Sequence, residues 1–260
     1  MKKLKQYQYE RYAILCQMAY PGSYFSYPET LEAFNEKLLM DKFERIGVRV
    51  LWREHKKEVI VVFRGSISWG DWLGNFCFLP VKENKQRGRI HWGFKRLLSQ
   101  PMYSSHKSLA QALPLQELLL LILAPLEQAG KRFTFIGHSS GGVMACLFAN
   151  TFESMYPNKV KRVVTFGQPA FASLGYKRRY QLHNKTYRIC CDLDIVTFMP
   201  LVPYLFIHVG KMLWLHDDQI YENTPTYARF LRSMKSWLLR PFTYHYMKKY
   251  IRNKTLFDKH

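Results

Sequence analysis

The chain has 260 residues, of which 39 are Lys or Arg and 19 are Asp or Glu, so its formal net charge is +20. Hydrophobic residues make up 48% of the chain, which is enough to build a sizeable core and excludes global disorder. The charge fits nucleic acid, an anionic membrane, an acidic ligand or an acidic partner protein, and it does not bear on the fold.

The N-terminal region predicts a helix and no secretory signal. Lys2, Lys3 and Lys5 are followed by the short stretch 12–20, which contains Gln17 and makes a poor signal-peptide core. We therefore expect a cytoplasmic or membrane-peripheral protein, with signal-independent secretion as an alternative. The longest apolar run, residues 118–124, is far shorter than the roughly 20 residues that span a bilayer.

Short β-branched or aromatic runs alternate with helical patterns along the chain. Buried strands are predicted at residues 58–63, 133–136, 163–166 and 187–191. Helices are predicted at about 109–128, between the first two strands, and at 142–153, after the second. This alternation predicts β-α-β units in one α/β domain over residues 1–260, with a mostly parallel central sheet and helices on both faces.

The strand at 133–136 leads directly into Gly137-His138-Ser139-Ser140-Gly141-Gly142 and then into a helix. This is a G-x-S-x-G nucleophile elbow in a strand–turn–helix setting. The neighbours two positions from the serine must be small because strand and helix approach closely there. Its hydroxyl then projects near the positive end of the helix. Ser139 is therefore the candidate nucleophile, and the alternative is a glycine-rich packing turn.

Motifs in a consistent order over most of the chain resemble the class 3, or fungal-type, lipase family of the α/β-hydrolase fold. Besides the elbow they are Val61-Val-Phe-Arg-Gly-Ser66 with Asp71, Trp72 and Asn75 after it, Ile90-His-Trp-Gly-Phe94, Thr165-Phe-Gly-Gln-Pro169, Tyr187-Arg-Ile-Cys-Cys-Asp-Leu-Asp194-Ile-Val196 with Pro200 beyond, Phe206-Ile-His-Val-Gly210 with Trp214, and Tyr244-His245-Tyr-Met-Lys-Lys-Tyr250. The resemblance implies an α/β-hydrolase fold, a short lid segment after the first oxyanion strand, and hydrolysis of lipid esters.

A hydrolase triad needs a base that takes the serine proton and a carboxylate that orients the base. Ser139, Asp194 and His245 follow the α/β-hydrolase order of Ser, Asp and His. Asp194 is preferred to Asp192 because it directly precedes an apolar pair, and this choice rests partly on the resemblance. A loop cap or a solvated carboxylate is the alternative role for either aspartate.

Four histidines follow Asp194 and compete for the role of base: His208, His216, His245 and His260. His208 lies in an apolar run, and the resemblance makes it structural. His216 stands beside two aspartates, and His260 is the last residue. His138 belongs to the elbow and is expected to face away from the base.

The oxyanion hole needs backbone N–H groups aimed at the developing negative charge. We predict that these come from Ser140, after the nucleophile, and from Ser66, at the end of the first strong strand. Ser140 replaces the leucine common in the family's elbow, which keeps the backbone donor and makes the site more polar. Because a triad generates its own nucleophile, no metal or organic cofactor is implied.

Two segments suggest contact with lipid. An apolar stretch follows Ser66, and by resemblance it acts as a lid; the alternative is that its aromatic residues pack on the core. Its interfacial candidates are Trp69, Trp72 and Phe76. Residues 227–239 predict an amphipathic helix with Phe230 and Leu231 on the apolar face and Arg229 and Arg232 on the other. Such a basic helix can lie on anionic lipid, or it can pack on the sheet with its basic face in solvent.

The predicted function is that of a serine carboxylic-ester hydrolase acting on lipid esters, of the triacylglycerol lipase type. Phospholipase A1 and carboxylesterase are alternatives within the same fold. The rival from another class is a catalytically inactive basic protein that binds anionic membrane or nucleic acid. Nucleic acid is disfavoured because no RNA- or DNA-binding motif accompanies the charge. The oligomeric state is left open.

Overall fold

The computed structural model describes residues 3–22, 34–66, 79–82, 88–105, 111–200, 205–237 and 243–258. Its strands are β1 (Asn35–Met40), β2 (Ile46–Trp52), β3 (Glu58–Phe63), β4 (Pro80–Lys82), β5 (Arg89–His91), β6 (Pro101–Ser104), β7 (Leu113–Pro114), β8 (Arg132–His138), β9 (Val160–Phe166), β10 (Thr186–Cys191), β11 (Lys211–His216) and β12 (Gln219–Glu222). Its α-helices are α1 (Gln6–Met18), α2 (Trp92–Leu98), α3 (Leu115–Gln128), α4 (Ser140–Met155), α5 (Leu174–Arg179), α6 (Thr226–Trp237) and α7 (Met247–Arg252).

The strands of the described ranges form a ten-stranded sheet in the order β12-β11-β10-β9-β8-β3-β2-β1-β6-β7, with β4 and β5 paired apart from it. Its five central strands, from β11 to β3, are parallel. Antiparallel strands extend it on both sides. The four runs predicted as strands are β3, β8, β9 and β10, so the predicted α/β class with a parallel centre is confirmed.

Helices cover both faces of the sheet because the central strands are apolar on both faces. In β3, Val59, Val61 and Phe63 pack with residues of α2, α3 and α4. The alternate residues Ile60 and Val62 pack with residues of α1 and α7 on the other side. Continuous burial of this kind is typical of strands inside a parallel sheet. No helix in the described ranges is both long enough and apolar enough to cross a membrane.

The expected position of Arg229 on the polar, exposed face of α6 is wrong. Arg229, expected on the solvent face, is 1% exposed, and its guanidinium carbon lies 4.6 Å from the ring centroid of Phe198 and 5.6 Å from that of Trp214. Leu231, expected on the apolar face that contacts either lipid or the sheet, is 63% exposed. The aromatic rings under α6 come from distant parts of the chain and attract the guanidinium, so periodicity within the helix could not indicate which face is buried.

Candidate active site

Ser139 lies in the turn between β8 and α4 in a strained backbone conformation. Its φ is 56° and its ψ is −129°, a region that residues other than glycine rarely adopt. Two backbone hydrogen bonds hold the turn: Ser139 N–H donates to Phe166 O at 2.8 Å, and Gly142 N–H donates to Ser139 O at 3.0 Å. The turn therefore fixes the serine at the carboxyl end of the central strand.

The glycines beside Ser139 are required by backbone crowding. A Cβ atom on Gly137 would lie 2.3 Å from Gly141 O, and one on Gly141 would lie 2.4 Å from Phe63 O. Both distances are far below van der Waals contact with backbone atoms that cannot move aside. At this turn the main chains of β8, α4 and β3 therefore pack directly against one another.

Asp194 and His245 form a buried acid–base pair. Asp194 directly precedes the 3₁₀ turn Ile195–Phe198 and is fully buried, and His245 Nδ1 lies 3.0 Å from each of its carboxylate oxygens. Tyr250 O–H donates to Asp194 Oδ2 at 2.5 Å, and Val196 N–H donates to Oδ1 at 3.0 Å. Because the carboxylate accepts from Nδ1, His245 Nε2 carries the free lone pair that a general base needs.

The electrostatics keep Asp194 ionised. Burial acts to raise its pKa, but the charge and hydrogen bond of His245, together with the Tyr250 hydroxyl, outweigh burial and lower the pKa. The residue can therefore hold the imidazole and stabilise an imidazolium at neutral pH.

The nucleophile follows β8, the base lies in the 3₁₀ turn Thr243–His245, and the two are not hydrogen-bonded. No hydrogen bond joins Ser139 Oγ to His245 among these described residues, and such bonds are often long before substrate binds. Gly167, with φ +59°, follows the Phe166 carbonyl that holds Ser139. A Cβ atom there would lie 2.6 Å from Asp194 Oδ2 and 2.9 Å from His245 Nδ1.

His138 contacts the base, and the expectation that it faces away is wrong. The ring centroids of His138 and His245 are 4.5 Å apart, and His138 Nε2 donates to His245 O at 2.8 Å. Tyr20 O–H donates to His138 Nδ1 at 2.7 Å. Burial lowers the pKa of His138 to about 3, so the ring stays neutral. Since Tyr20 comes from the segment after α1, no local pattern indicated this contact.

The two predicted oxyanion residues lie in contact with each other. Ser66 N–H donates to Ser140 Oγ at 3.1 Å, and the two hydroxyls share a hydrogen bond of 3.2 Å. The Ser140 hydroxyl thus accepts the hydrogen bond of the Ser66 N–H, one of the two N–H groups predicted to bind the oxyanion.

The rejected candidates lie elsewhere. Asp192 is partly exposed and bonds to His216 Nδ1 at 3.1 Å, and His208 Nε2 donates to Thr197 O at 3.0 Å. The remaining candidates fall outside the described residues: Trp69, Trp72, Phe76 and His260.

The family model described as Lipase (class 3) matches residues 60–204, more than half of the chain. The chain is 27% identical over 184 residues to a lipase of Rhizomucor miehei, a match that covers 64% of this chain and 44% of that protein. It is 24% identical over 177 residues to the chloroplastic phospholipase A1-Igamma2 of Arabidopsis thaliana, covering 60% of this chain and 32% of that protein. The part of this protein that matches thus spans less than half the length of each of these two relatives.

Solved structures of lipases share the fold. A lipase from Rhizopus microsporus var. chinensis superposes with a TM-score of 0.64 at 16% identity, covering 94% of this chain and 85% of that one. The triacylglyceride lipase of Rhizomucor miehei superposes with a TM-score of 0.64 at 21% identity, covering 82% and 80%. The likeness establishes an α/β-hydrolase fold.

Proposed function

The chain belongs to the class 3 lipase family, and from this membership we propose that it is a serine hydrolase that cleaves carboxylic esters of lipids. The observation that carries the proposal is the buried pair of Asp194 and His245 beside the strained turn of Ser139. An acid–base pair and a serine elbow at the same edge of the sheet, after β10 and β8, are the components of acyl transfer.

In the proposed mechanism, Ser139 Oγ attacks the ester carbonyl carbon while His245 Nε2 takes the hydroxyl proton. The negative oxygen is held by the backbone N–H group of Ser140 and by that of Ser66, which must first leave the Ser140 hydroxyl that it contacts in this structure. The bond to the alcohol breaks as His245 returns the proton to the leaving oxygen. Water then repeats the sequence on the acyl-enzyme and releases the carboxylic acid, with Asp194 stabilising the imidazolium in both steps.

A triacylglycerol is the first proposed substrate class, supported by the likeness to the Rhizomucor miehei lipase, whose solved structure is described as a triacylglyceride lipase. A phospholipid cleaved as by a phospholipase A1 is the second, supported by the Arabidopsis relative. A simple carboxylesterase differs from both in accepting short soluble esters equally well. Hydrolysis rates on a triacylglycerol, a phospholipid and a short ester separate the three.

Covalent labelling by a fluorophosphonate tests the serine chemistry directly. Wild-type protein and Ser154→Ala, which removes an exposed serine of α4, should be labelled to the same extent. Ser139→Ala should not be labelled, and His245→Ala should react at least a hundredfold more slowly because the base is missing. A folded wild-type protein that resists labelling would contradict the hydrolase and favour the inactive binding protein.

We also propose peripheral contact with an anionic membrane through α6. Tyr227 and Leu231 are 71% and 63% exposed and lie one helical turn apart, and the exposed Arg232 is next to them. The net charge of +20 adds long-range attraction to anionic lipid.

Cosedimentation with liposomes tests this membrane contact. Replacing both Tyr227 and Leu231 by Ser should lower binding to anionic vesicles severalfold, whereas Leu121→Ser, at a 54% exposed position of α3, should not. Equal binding by all three proteins would contradict a role for α6. Stronger binding to duplex DNA than to vesicles would favour nucleic acid as the partner.

A further inference from the structure

A cavity of about 740 Å³ is lined by residues outside the triad. They come from the turn Ile195–Phe198, from the segment that precedes β11, and from helices α5 and α6. Neither the nucleophile, the base nor the acid of the triad lines it. The volume lies within the range of small-molecule sites in proteins. One part of the lining is aromatic, with Phe198, Phe206 and Phe230.

The other part of the lining is cationic and contains an arginine without an acidic partner. Arg188, on β10, is 7% exposed, and its NH1 donates to Cys190 Sγ at 3.3 Å. Its Nε is buried without a hydrogen-bond partner, and no carboxylate of the described residues lies within 4.0 Å of it. A buried guanidinium is normally paired because losing its hydration is costly.

The surroundings add positive charge and supply none of the opposite sign. Lys177 also lines the cavity, and no Asp or Glu of the described ranges does. Burial lowers the pKa of Arg188, and the nearby Arg229 lowers it further. His208 lines the cavity as well, and its Nδ1 is buried without a hydrogen-bond partner. Two residues that line the cavity thus each have one buried nitrogen, Arg188 Nε and His208 Nδ1, without a hydrogen-bond partner among the described residues.

We propose that this cavity binds an anionic amphiphile, with a carboxylate or phosphate head group at Arg188 and Lys177 and its apolar chain along Phe198, Phe206 and Phe230. The guanidinium fork matches either oxyanion with two parallel hydrogen bonds. Binding supplies the counter-charge that Arg188 lacks and buries the chain against aromatic rings. The site is independent of the proposed hydrolase activity, since Ser139 and His245 contribute nothing to it.

Calorimetric titration of the full chain with four probes tests the proposal: decanoate, decyl phosphate, decanol and inorganic phosphate. Both anionic amphiphiles should bind at least tenfold more tightly than decanol and than inorganic phosphate, which lack the charge and the chain respectively. The tighter of the two anions identifies the head group. The titration is repeated on Ser139→Ala, where binding should be unchanged.

Arg188→Met should weaken binding of both anionic amphiphiles at least tenfold, while Arg178→Met, which removes the same charge from an exposed position of α5, should leave it unchanged. The unliganded Arg188→Met protein should melt no lower than wild type because it loses an unpaired buried charge. Equal binding by wild type and Arg188→Met would overturn the proposal, and so would decanol binding as tightly as decanoate. If Arg188→Met does not fold, the comparison of decanoate with decanol on wild type decides alone.

Failure here and failure of the hydrolase are separate results. An anion bound at the triad would be insensitive to Arg188→Met, whereas absent fluorophosphonate labelling would leave the titrations unaffected. A failed titration would therefore contradict only the proposed cavity site, and absent labelling would contradict only the proposed hydrolase site.

Discussion

Tyr250 donates a hydrogen bond of 2.5 Å to Oδ2 of Asp194, the carboxylate that His245 contacts through both oxygens. Tyr250 is fully buried, and its own carbonyl accepts a hydrogen bond of 2.6 Å from the Tyr9 hydroxyl. The orientation of the acid of the triad thus depends on a tyrosine from α7 that is itself held by α1.

Tyr250→Phe should lower kcat about tenfold or more and leave KM unchanged, because Asp194 loses a hydrogen bond to a charged group that positions it for His245. Tyr180→Phe is the matched control, since it also removes a buried hydroxyl, one bonded to Thr186 Oγ1 at 2.7 Å. Steady-state kinetics and thermal melting of both variants check this. If Tyr180→Phe lowers kcat as much as Tyr250→Phe does, the loss in both variants comes from reduced stability alone.

Gly167→Ala should abolish activity through a steric clash inside the triad. The new methyl group would lie 2.6 Å from Asp194 Oδ2 and would displace the acid or the base. Gly130→Ala is the control because Gly130 also has a positive φ, +75°, with no atom within 4 Å of a Cβ. Gly130→Ala should lose about 1 kcal/mol of stability from left-handed backbone strain, and Gly167→Ala should lose more because the clash adds to the same strain. Activity per folded molecule should fall only in Gly167→Ala, as measured by kcat normalised to the folded fraction from circular dichroism.

Ser140→Ala should raise kcat on a short ester by about threefold. The Ser140 hydroxyl accepts the Ser66 N–H in the resting structure, and its removal leaves that donor available to the oxyanion. Comparing kcat of wild type and Ser140→Ala checks this. A tenfold fall would show instead that the hydroxyl organises the hole.

His91 should make the fold less stable in acid. Burial lowers the pKa of His91 from its ordinary value of 6.5 to about 4. Between pH 6.5 and pH 4 the unfolded chain therefore binds a proton that the folded protein does not, so the free energy of unfolding falls as the pH falls.

His91→Asn separates this titration from the capping role of the side chain. His91 Nδ1 accepts the Gly93 N–H at the start of α2, and asparagine is a good residue at that position. Urea denaturation at pH 7 and pH 5 should show a smaller acid loss in His91→Asn than in wild type. Equal losses would contradict the assignment.

Local sequence was sufficient to predict the parallel centre of the sheet and the elbow, because both depend on short-range signals. A β-branched run buried on both faces indicates a strand such as β3, and glycines spaced around Ser139 indicate a tight turn. The peripheral strands β1, β6 and β7 carried no comparable signal. β6 is strand only through its pairing with β1 and β7.

The errors arise where distant segments meet. Arg229 is buried because Phe198 and Trp214 lie beneath α6, and His138 contacts both the base and Tyr20, which follows α1. Such contacts are decided by tertiary packing and override helical periodicity. The order of Ser139, Asp194 and His245 along the chain predicted the candidate triad by another route, because the topology of the fold determines the order in which these residues occur.

The direct main-chain contacts at the elbow have a consequence for mutational tolerance. Gly137 and Gly141 place Ser139 by backbone against backbone, with no side chain of the core between them. Substitutions among core side chains can therefore reduce the fraction of folded molecules without moving the nucleophile in those that remain. Destabilised variants of this protein should show fewer active molecules, each turning over at the wild-type rate.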